Sequence, residues 1–320
     1  MSETSEALQR KINSARELKS VVRTMKGLAA ASIVQYERAV LSLANYYSAV
    51  QLGLTVCVRE TLTPDPLVIR GGTSLVGPTA AIVFGSDQGL VAQFNDLLAR
   101  FVVGQLEGSP GEKLVYVAGE RICAQLEDLG MPPKQLYSVP NSVTAITPLI
   151  SQILVDTEAL HEKGEIYIFH NQPRSRASYE AVWQRLLPLD EKWRRDLTQI
   201  KWPTKMLPQV MGPSELTIRA LIREYLFVSL FKACAESLAS ENACRLAAMQ
   251  RAERNIGNLL EELHSAFHRQ RQSAIDEELF DVVSGFEVLA DEEKARDGLR
   301  SQGPTGRKHV ELNPNCEVSL

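Results

Sequence analysis

The stretch SEALQRKINSARELKSVVRTMKGLAAASIVQYERAVLSLANYYSAVQLGLTVCVR, from Ser5 to Arg59, reads as one helix. Apolar or small residues recur at Leu8, Ile12, Ala15, Leu18, Val22, Met25, Ala29, Ser32, Tyr36, Ala39, Leu43, Tyr46 and Val50. Steps of three and four keep one helix face against a second helix and close a left-handed seam. Between Met1 and Gln51 there is one glycine, Gly27, and no proline, so the backbone hydrogen-bond ladder runs unbroken. At 1.5 Å per residue such a helix is about 80 Å long, well past the three or four turns usual in a compact domain.

The partner lies at the other end of the chain. Gly212-Pro213-Ser214-Glu215 carries the proline and capping serine of a helix start, and no further proline follows before Leu289. Its apolar positions are Met249, Ala252, Ile256, Leu259, Leu263 and Phe267, then Ala274, Leu279 and Val282. Two helices of this length bury their seams most simply by winding around each other antiparallel. The predicted fold class is therefore α/β plus long helices: an antiparallel two-helix coiled coil with a Rossmann-like α/β domain inserted between its arms. The expected divisions are a first shaft helix over 1–62, an α/β domain with linkers over 63–212, a second shaft helix over 213–289 and a disordered polar tail over 290–320.

The middle segment alternates strands and helices. Strands are expected at Thr79 to Phe84, Lys113 to Ala118, Gln135 to Val139 and Glu165 to His170, with helices at Leu90 to Leu106, Glu120 to Leu129 and Thr144 to Lys163. Alternation of this kind predicts a mostly parallel sheet with helices on its faces. Proline-bearing stretches from Thr63 to Pro78 and from Pro188 to Pro213 mark the passages to and from the long helices.

Composition excludes several classes. A chain of 320 residues, 44% hydrophobic and 23% charged, has ample core material, and a net charge of −4 argues against a dedicated nucleic-acid binder. Five cysteines at Cys57, Cys123, Cys234, Cys244 and Cys316 lack metal-ligand spacing and fit a reducing compartment. No apolar run reads as a bilayer span, so any membrane association is expected to come through a partner.

No convincing active site emerges. The loop Gly85-Ser86-Asp87-Gln88-Gly89-Leu90 follows the first strand, where a phosphate cradle would stand, but it lacks a third glycine and a Gly-Lys-Ser/Thr, and Asp87 would repel phosphate. The structural reading is a tight turn relaxed by its glycines, with Ser86 or Asp87 capping the next helix. Among His161, His170, His264, His268 and His309 the pair His264 and His268 has helical i, i+4 spacing, yet no third ligand completes a metal site. Catalytic residues, cofactor and metal are all expected to be none.

Certain blocks carry a family signature. They are the loop from Gly85 to Leu90 with Phe94-Asn95; Glu236-Ser237-Leu238-Ala239-Ser240-Glu241-Asn242-Ala243-Cys244-Arg245-Leu246-Ala247-Ala248-Met249; and Arg271-Gln272-Ser273-Ala274-Ile275-Asp276-Glu277-Glu278-Leu279. With Leu8 to Ile12, Thr24-Met25-Lys26 and Ala29-Ala30-Ala31, the chain from about residue 5 to 289 resembles the gamma subunit of the rotary ATP synthase. The resemblance implies a coiled-coil shaft turning inside a ring of three alpha and three beta subunits. It also implies an α/β foot that meets epsilon and the c-ring of the membrane sector, and no catalysis by the chain itself. Arg271, Gln272, Met25 and Lys26 are the implied contacts with beta, and Gly85, Ser86, Asp87, Gln88 and Gly89 form the foot turn. The implied location is peripheral, on the cytoplasmic face of the bacterial cell membrane, held there by the complex and without direct insertion.

Departures are visible too. The family commonly has arginine at Gln88 and glycines at Ala92 and Gln93, and the ending Val283-Ser284-Gly285-Phe286-Glu287-Val288-Leu289 is bulkier and more charged than usual. Such differences are similar to those of the alternate, second-copy rotary ATPases of some bacteria. Two rival classes are a coiled-coil adaptor unrelated to rotation and a nucleotide-binding α/β enzyme. The adaptor would not call for the block from Glu236 to Met249, and the enzyme would need the phosphate loop that Gly85 to Leu90 does not supply.

Overall fold

A computed structural model describes residues 5–60, 77–108, 111–160, 164–174, 178–189, 193, 195, 197, 199–200, 202–206, 210 and 214–300. Its elements are α1 (Ser5–Glu60), β1 (Thr79–Phe84), α2 (Phe94–Leu106), β2 (Lys113–Ala118), α3 (Glu120–Asp128), β3 (Gln135–Tyr137), α4 (Val143–Thr157) with a following 3-10 turn (Glu158–Leu160), β4 (Glu165–Pro173), β5 (Tyr179–Leu187) and α5 (Ser214–Arg300). Two compact units divide it: one takes the chain up to Arg16 and from Asn258 on, the other is Glu17–Gly257.

The larger unit is built on a five-stranded sheet of order β3-β2-β1-β4-β5. β1 pairs in parallel with β2 and β4, β2 with β3, and β5 closes the edge antiparallel to β4. β1 is buried along its whole length, as a central strand covered on both faces must be. Ala81 and Val83 point to a layer with Leu98, Val102, Ile122 and Leu126 of α2 and α3. Ala80, Ile82 and Phe84 point the other way, to Ile146, Ile150 and Ile153 of α4, Leu54 of α1 and Leu226 and Leu230 of α5. α5 is buried on nearly every side from Tyr225 to Asn242, which explains why its sequence there is apolar or small all round rather than striped.

β5 is the strand that the sequence reading assigned to no element. Its residues Glu180, Gln184 and Arg185 dilute the apolar alternation, and its partner β4 lies just before it in the chain. The hairpin closes with the Arg174 amide donating to the Ser178 carbonyl at 2.7 Å.

The stripe of α1 departs from the expected one at two positions. Leu18 and Tyr46 are exposed, at 58% and 45%. The inward positions are Lys19 and Tyr47, and the stripe of the larger unit continues through Val22, Lys26, Ala29, Ile33, Tyr36, Val40, Leu43, Val50, Leu54 and Cys57 in alternating steps of three and four. A lysine can hold an inward position because its aliphatic stem covers apolar surface while the ammonium reaches out. On α5, by the same shift, Leu260 is half-buried and Leu259 is exposed. Cross-helix bonds in this unit run in antiparallel order: Tyr46 donates to Glu224 at 2.6 Å, while Arg23 and Lys26 both bind Glu253.

In the smaller unit Leu8, Ile12 and Ala15 are buried, Leu263 and Phe267 are half-buried, and Arg16 Nη2 lies 3.2 Å from His264 Nε2. Ala274, Leu279 and Val282, expected on the seam, are exposed instead. Arg16 stands level with His264, and α1 begins eleven residues before Arg16. Past about residue 275, at one residue of α5 per residue of α1, no described helix lies beside it. α5 itself continues to Arg300 rather than stopping at Leu289; the remainder of the expected tail, 301–320, lies outside the described residues. Two segments, Ser5–Val58 and Val143–Leu160, contain windows long and apolar enough to cross a membrane by length and composition. That departs from the expectation of none.

Candidate functional site

The carboxyl ends of β1 and β4 meet one face of α5, and side chains from that face reach across. Glu236, Ser237, Ser240 and Cys244 recur at spacings of one, three and four, which places them on one side of a helix. Ser237 Oγ donates to the Phe84 carbonyl at 2.8 Å and Ser240 Oγ to the Asn171 carbonyl at 2.9 Å. Cys244 Sγ donates to the Val91 carbonyl at 2.8 Å. Glu236 Oε2 binds His170 Nε2 at 2.9 Å. Burial raises the Glu236 pKa, but the His170 hydrogen bond and charge, helped by Lys232, outweigh it and hold the group below the usual carboxylate range. Four bonds thus tie β1, β4 and the loop after β1 to a continuous helix. Each satisfies a carbonyl or carboxylate that burial would otherwise leave costly.

One turn further along α5, Arg245 binds Glu241 at 2.6 Å with both side chains largely buried. Burial pushes the Glu241 pKa up, Arg245 opposes it, and nearby Asp87 adds to the rise.

The loop after β1 is held by β2, α2, α3 and the Val139 amide. Gly85 donates its amide to the Ala118 carbonyl at 2.9 Å, and a Cβ there would lie 2.3 Å from Ile122 Cγ2. Asn95 accepts from the Ser86 amide at 3.1 Å and donates to Ser86 Oγ at 2.8 Å. Asp87 Oδ1 accepts from the Glu120 amide at 3.0 Å and Oδ2 from the Val139 amide at 2.9 Å. The expected cap of the next helix is therefore a cap of α3. α2 begins at Gln93 with no side-chain cap. Asp87 ties this loop to the start of α3 and to the Val139 amide, so the loop is a structural joint.

The left-handed positions of this loop are Leu90 and Ala92, with φ of 65° and 50°, rather than Gly85 or Gly89. Ala92 is exposed, so replacing it removes little packing. Ala92→Gly is expected to raise stability by about 0.5–1 kcal/mol, because glycine accepts that φ without strain while losing more freedom on folding. A shifted urea midpoint at unchanged slope checks this.

The remaining anticipated residues fall in different units. Met25 and Lys26 are half-buried in the larger unit, where Lys26 Nζ sits 2.5 Å from Glu253 Oε2. Arg271 and Gln272 are exposed in the smaller one. In the foot turn Gln88 is exposed and Ser86 buried. His264 and His268 stack with centroids 6.5 Å apart, and among the described residues no group of three or more metal-ligating side chains forms. Sequence reasoning missed His170 and Asn171 as partners of α5. The signal was a polar His-Asn pair closing an otherwise apolar strand.

An α/β domain inserted between two long helices, bolted to one of them and with its loop carboxylate on its own helix terminus, has the features of a structural subunit. The family described as ATP synthase matches residues 4–289. The ATP synthase gamma chain of Magnetococcus marinus is 26% identical over 295 residues, covering 88% of this chain and 98% of that one. The gamma chain of Clostridium botulinum (strain Okra / Type B1) is 25% identical over 286 residues, covering 88% and 96%. A chain in the structure of the Euglena gracilis mitochondrial ATP synthase, OSCP/F1/c-ring in rotational state 3, superposes with a TM-score of 0.58 at 14% identity, covering 96% of this chain and 98% of that one. The chain belongs to the ATP synthase gamma-chain family.

Proposed function

We propose that this chain is the central shaft of a rotary ATP synthase, with α1 and α5 wound as an antiparallel coiled coil. The single observation that carries the reading is the row of bonds from Glu236, Ser237, Ser240 and Cys244 to β1, β4 and the loop after β1. A rotor must pass torque from a foot to a shaft without slack, and a helix that is bonded into the foot and continues as the shaft does so through covalent backbone. The strict three-four stripe adds stiffness by locking the helices side by side.

In this reading the exposed apolar residues Ile275, Leu279, Phe280 and Phe286 turn inside the sleeve of alpha and beta subunits. The foot meets epsilon and the c-ring, presenting exposed Gln88 and Leu90 to them. The subunit is peripheral, on the cytoplasmic face of the bacterial membrane. Coupling is mechanical: rotation of an asymmetric shaft changes the nucleotide sites of the beta subunits in turn.

Co-expression with the alpha and beta subunits of the same organism tests it. Native mass determination is expected to give three alpha, three beta and one copy of this chain, with ATPase activity that depends on its presence. A soluble, folded chain that never joins the ring defeats the proposal. Within the assembled ring, replacing Arg271 and Gln272 together by alanine is expected to lower ATP turnover roughly tenfold, equivalent to about 1.4 kcal/mol of barrier, with little loss of assembly. Unchanged turnover in a fully assembled double variant removes these two residues from the contact with beta.

A further inference from the structure

In the smaller unit α1 contributes only its opening turns, from Ser5 to Arg16. The apolar anchor there is small: Leu8, Ile12 and Ala15 are buried, and Leu263 and Phe267 of α5 are half-buried. A polar contact between the two helices adds to it, with Arg16 Nη2 3.2 Å from His264 Nε2.

Chemistry fixes the direction of that bond. A guanidinium has donors and no acceptor, and it keeps its proton at any ordinary pH, so Nε2 of His264 has to offer a lone pair. The imidazole in this contact is therefore neutral, with its proton on Nδ1. Protonation would turn N–H toward N–H and set two cations against each other at the same place, which removes an attraction and adds a repulsion.

The neighbouring charges do little to offset this. From α1 the arm brings three cations, Arg10, Lys11 and Arg16, against one carboxylate, Glu6, which lies 3.9 Å from Arg10. Glu17, next to Arg16 in the chain, is exposed, and Lys19 a turn further is directed at Gly257. On α5 itself, Glu261 stands three residues before His264 and is exposed, where water screens it; Glu262 and Arg269 leave the helix at other angles. His268, four residues on, stacks over His264 with ring centroids 6.5 Å apart and planes at 27°.

We propose that Arg16 and His264 form a pH-sensitive clasp, which holds the opening turns of α1 to α5 while the imidazole is neutral and releases them when it takes a proton. Imidazoles titrate in about the pH 5–8 range. The clasp is thus closed on the alkaline side of that range and opens as pH falls. Release is confined to the arm, because Arg23 and Lys26 hold α1 to Glu253 within the larger unit.

The inference does not rest on the rotary reading. Amide hydrogen exchange of residues 12–16 in the full-length chain tests it, corrected for the intrinsic effect of pH on exchange. Opening is expected to rise about threefold between about pH 7.5 and about pH 5.5, the size of one exposed charge contact. His264→Gln keeps an acceptor for Arg16 but cannot take a proton, and its opening is expected to be flat with pH; glutamine suits a helix, so this variant folds. His268→Gln is expected to keep the pH dependence. Flat opening in the unaltered chain, an undiminished rise in His264→Gln, or loss of the rise in His268→Gln each overturns the assignment.

Discussion

Gly119→Ala is expected to destabilise the chain by about 3 kcal/mol or more, combining left-handed backbone strain with overpacking. Gly119 sits between β2 and α3 with φ of 126°, a conformation that L side chains rarely adopt. A Cβ there would lie 2.8 Å from the backbone nitrogen and oxygen of Ser86 and 2.9 Å from its carbonyl carbon. That backbone cannot step aside, since the Ser86 amide is held by Asn95 and its carbonyl by the Arg121 amide. Gly130→Ala supplies the contrast. Its φ is 78°, but nothing lies within 4 Å of the added atom, so only the local strain of about 1 kcal/mol should appear. Urea unfolding of the three proteins separates the two terms; equal losses for both variants would show that the clash at Ser86 is relieved.

Arg245→Met is expected to cost about 3–5 kcal/mol at neutral pH, since it leaves Glu241 buried without its cation. Glu241 is 5% exposed, and Arg245 supplies the close salt bridge at 2.6 Å. The pH dependence has a definite sign. Burial already lifts the Glu241 pKa against the pull of Arg245, and removing that pull lifts it further. A carboxylate with a raised folded-state pKa contributes stability below its ordinary value and loses it as pH rises through the folded value. The deficit of Arg245→Met should therefore shrink steadily as pH falls from about 7 toward the ordinary glutamate range of about 4.3. Glu241→Gln in the same background should restore most of the loss. A deficit that does not change with pH would place the cost in lost packing by the arginine stem instead.

The parts of this structure that sequence reasoning reached are those with a repeating physical signal. Long proline-free stripes predicted α1 and α5, and apolar runs between turn residues predicted β1, β2, β3 and β4. What escaped depended on contacts that a local pattern does not record. β5 looks too polar to be a strand until β4 is seen to shield one edge. Lys19 lies inward where Leu18 was expected, because hydropathy records the ammonium and ignores the stem. Asp87 caps α3 across more than thirty residues of intervening chain, while cap rules look only at neighbours. Ala274, Leu279 and Val282 have seam spacing but no helix beside them, because the length of one helix does not reveal where its partner begins. The bonds from α5 to β1, β4 and the loop after β1 were hidden for the same reason: Glu236, Ser237, Ser240 and Cys244 were visible as a block, but their partners at Phe84, Val91, His170 and Asn171 lie far upstream.

Glu253 offers a last consequence. One carboxylate answers two cations on the opposite helix, with Arg23 on one oxygen and Lys26 on the other, and their hydrogen bonds hold its pKa low. A heptad stripe alone repeats, so two striped helices can mate in any of several offsets. A carboxylate gripped by two cations at once resists sliding, because a slip of one turn, about 5.4 Å, breaks at least one of the two bonds. The pair behaves as a key in a keyway that sets the axial offset of α1 against α5 at this level of the larger unit.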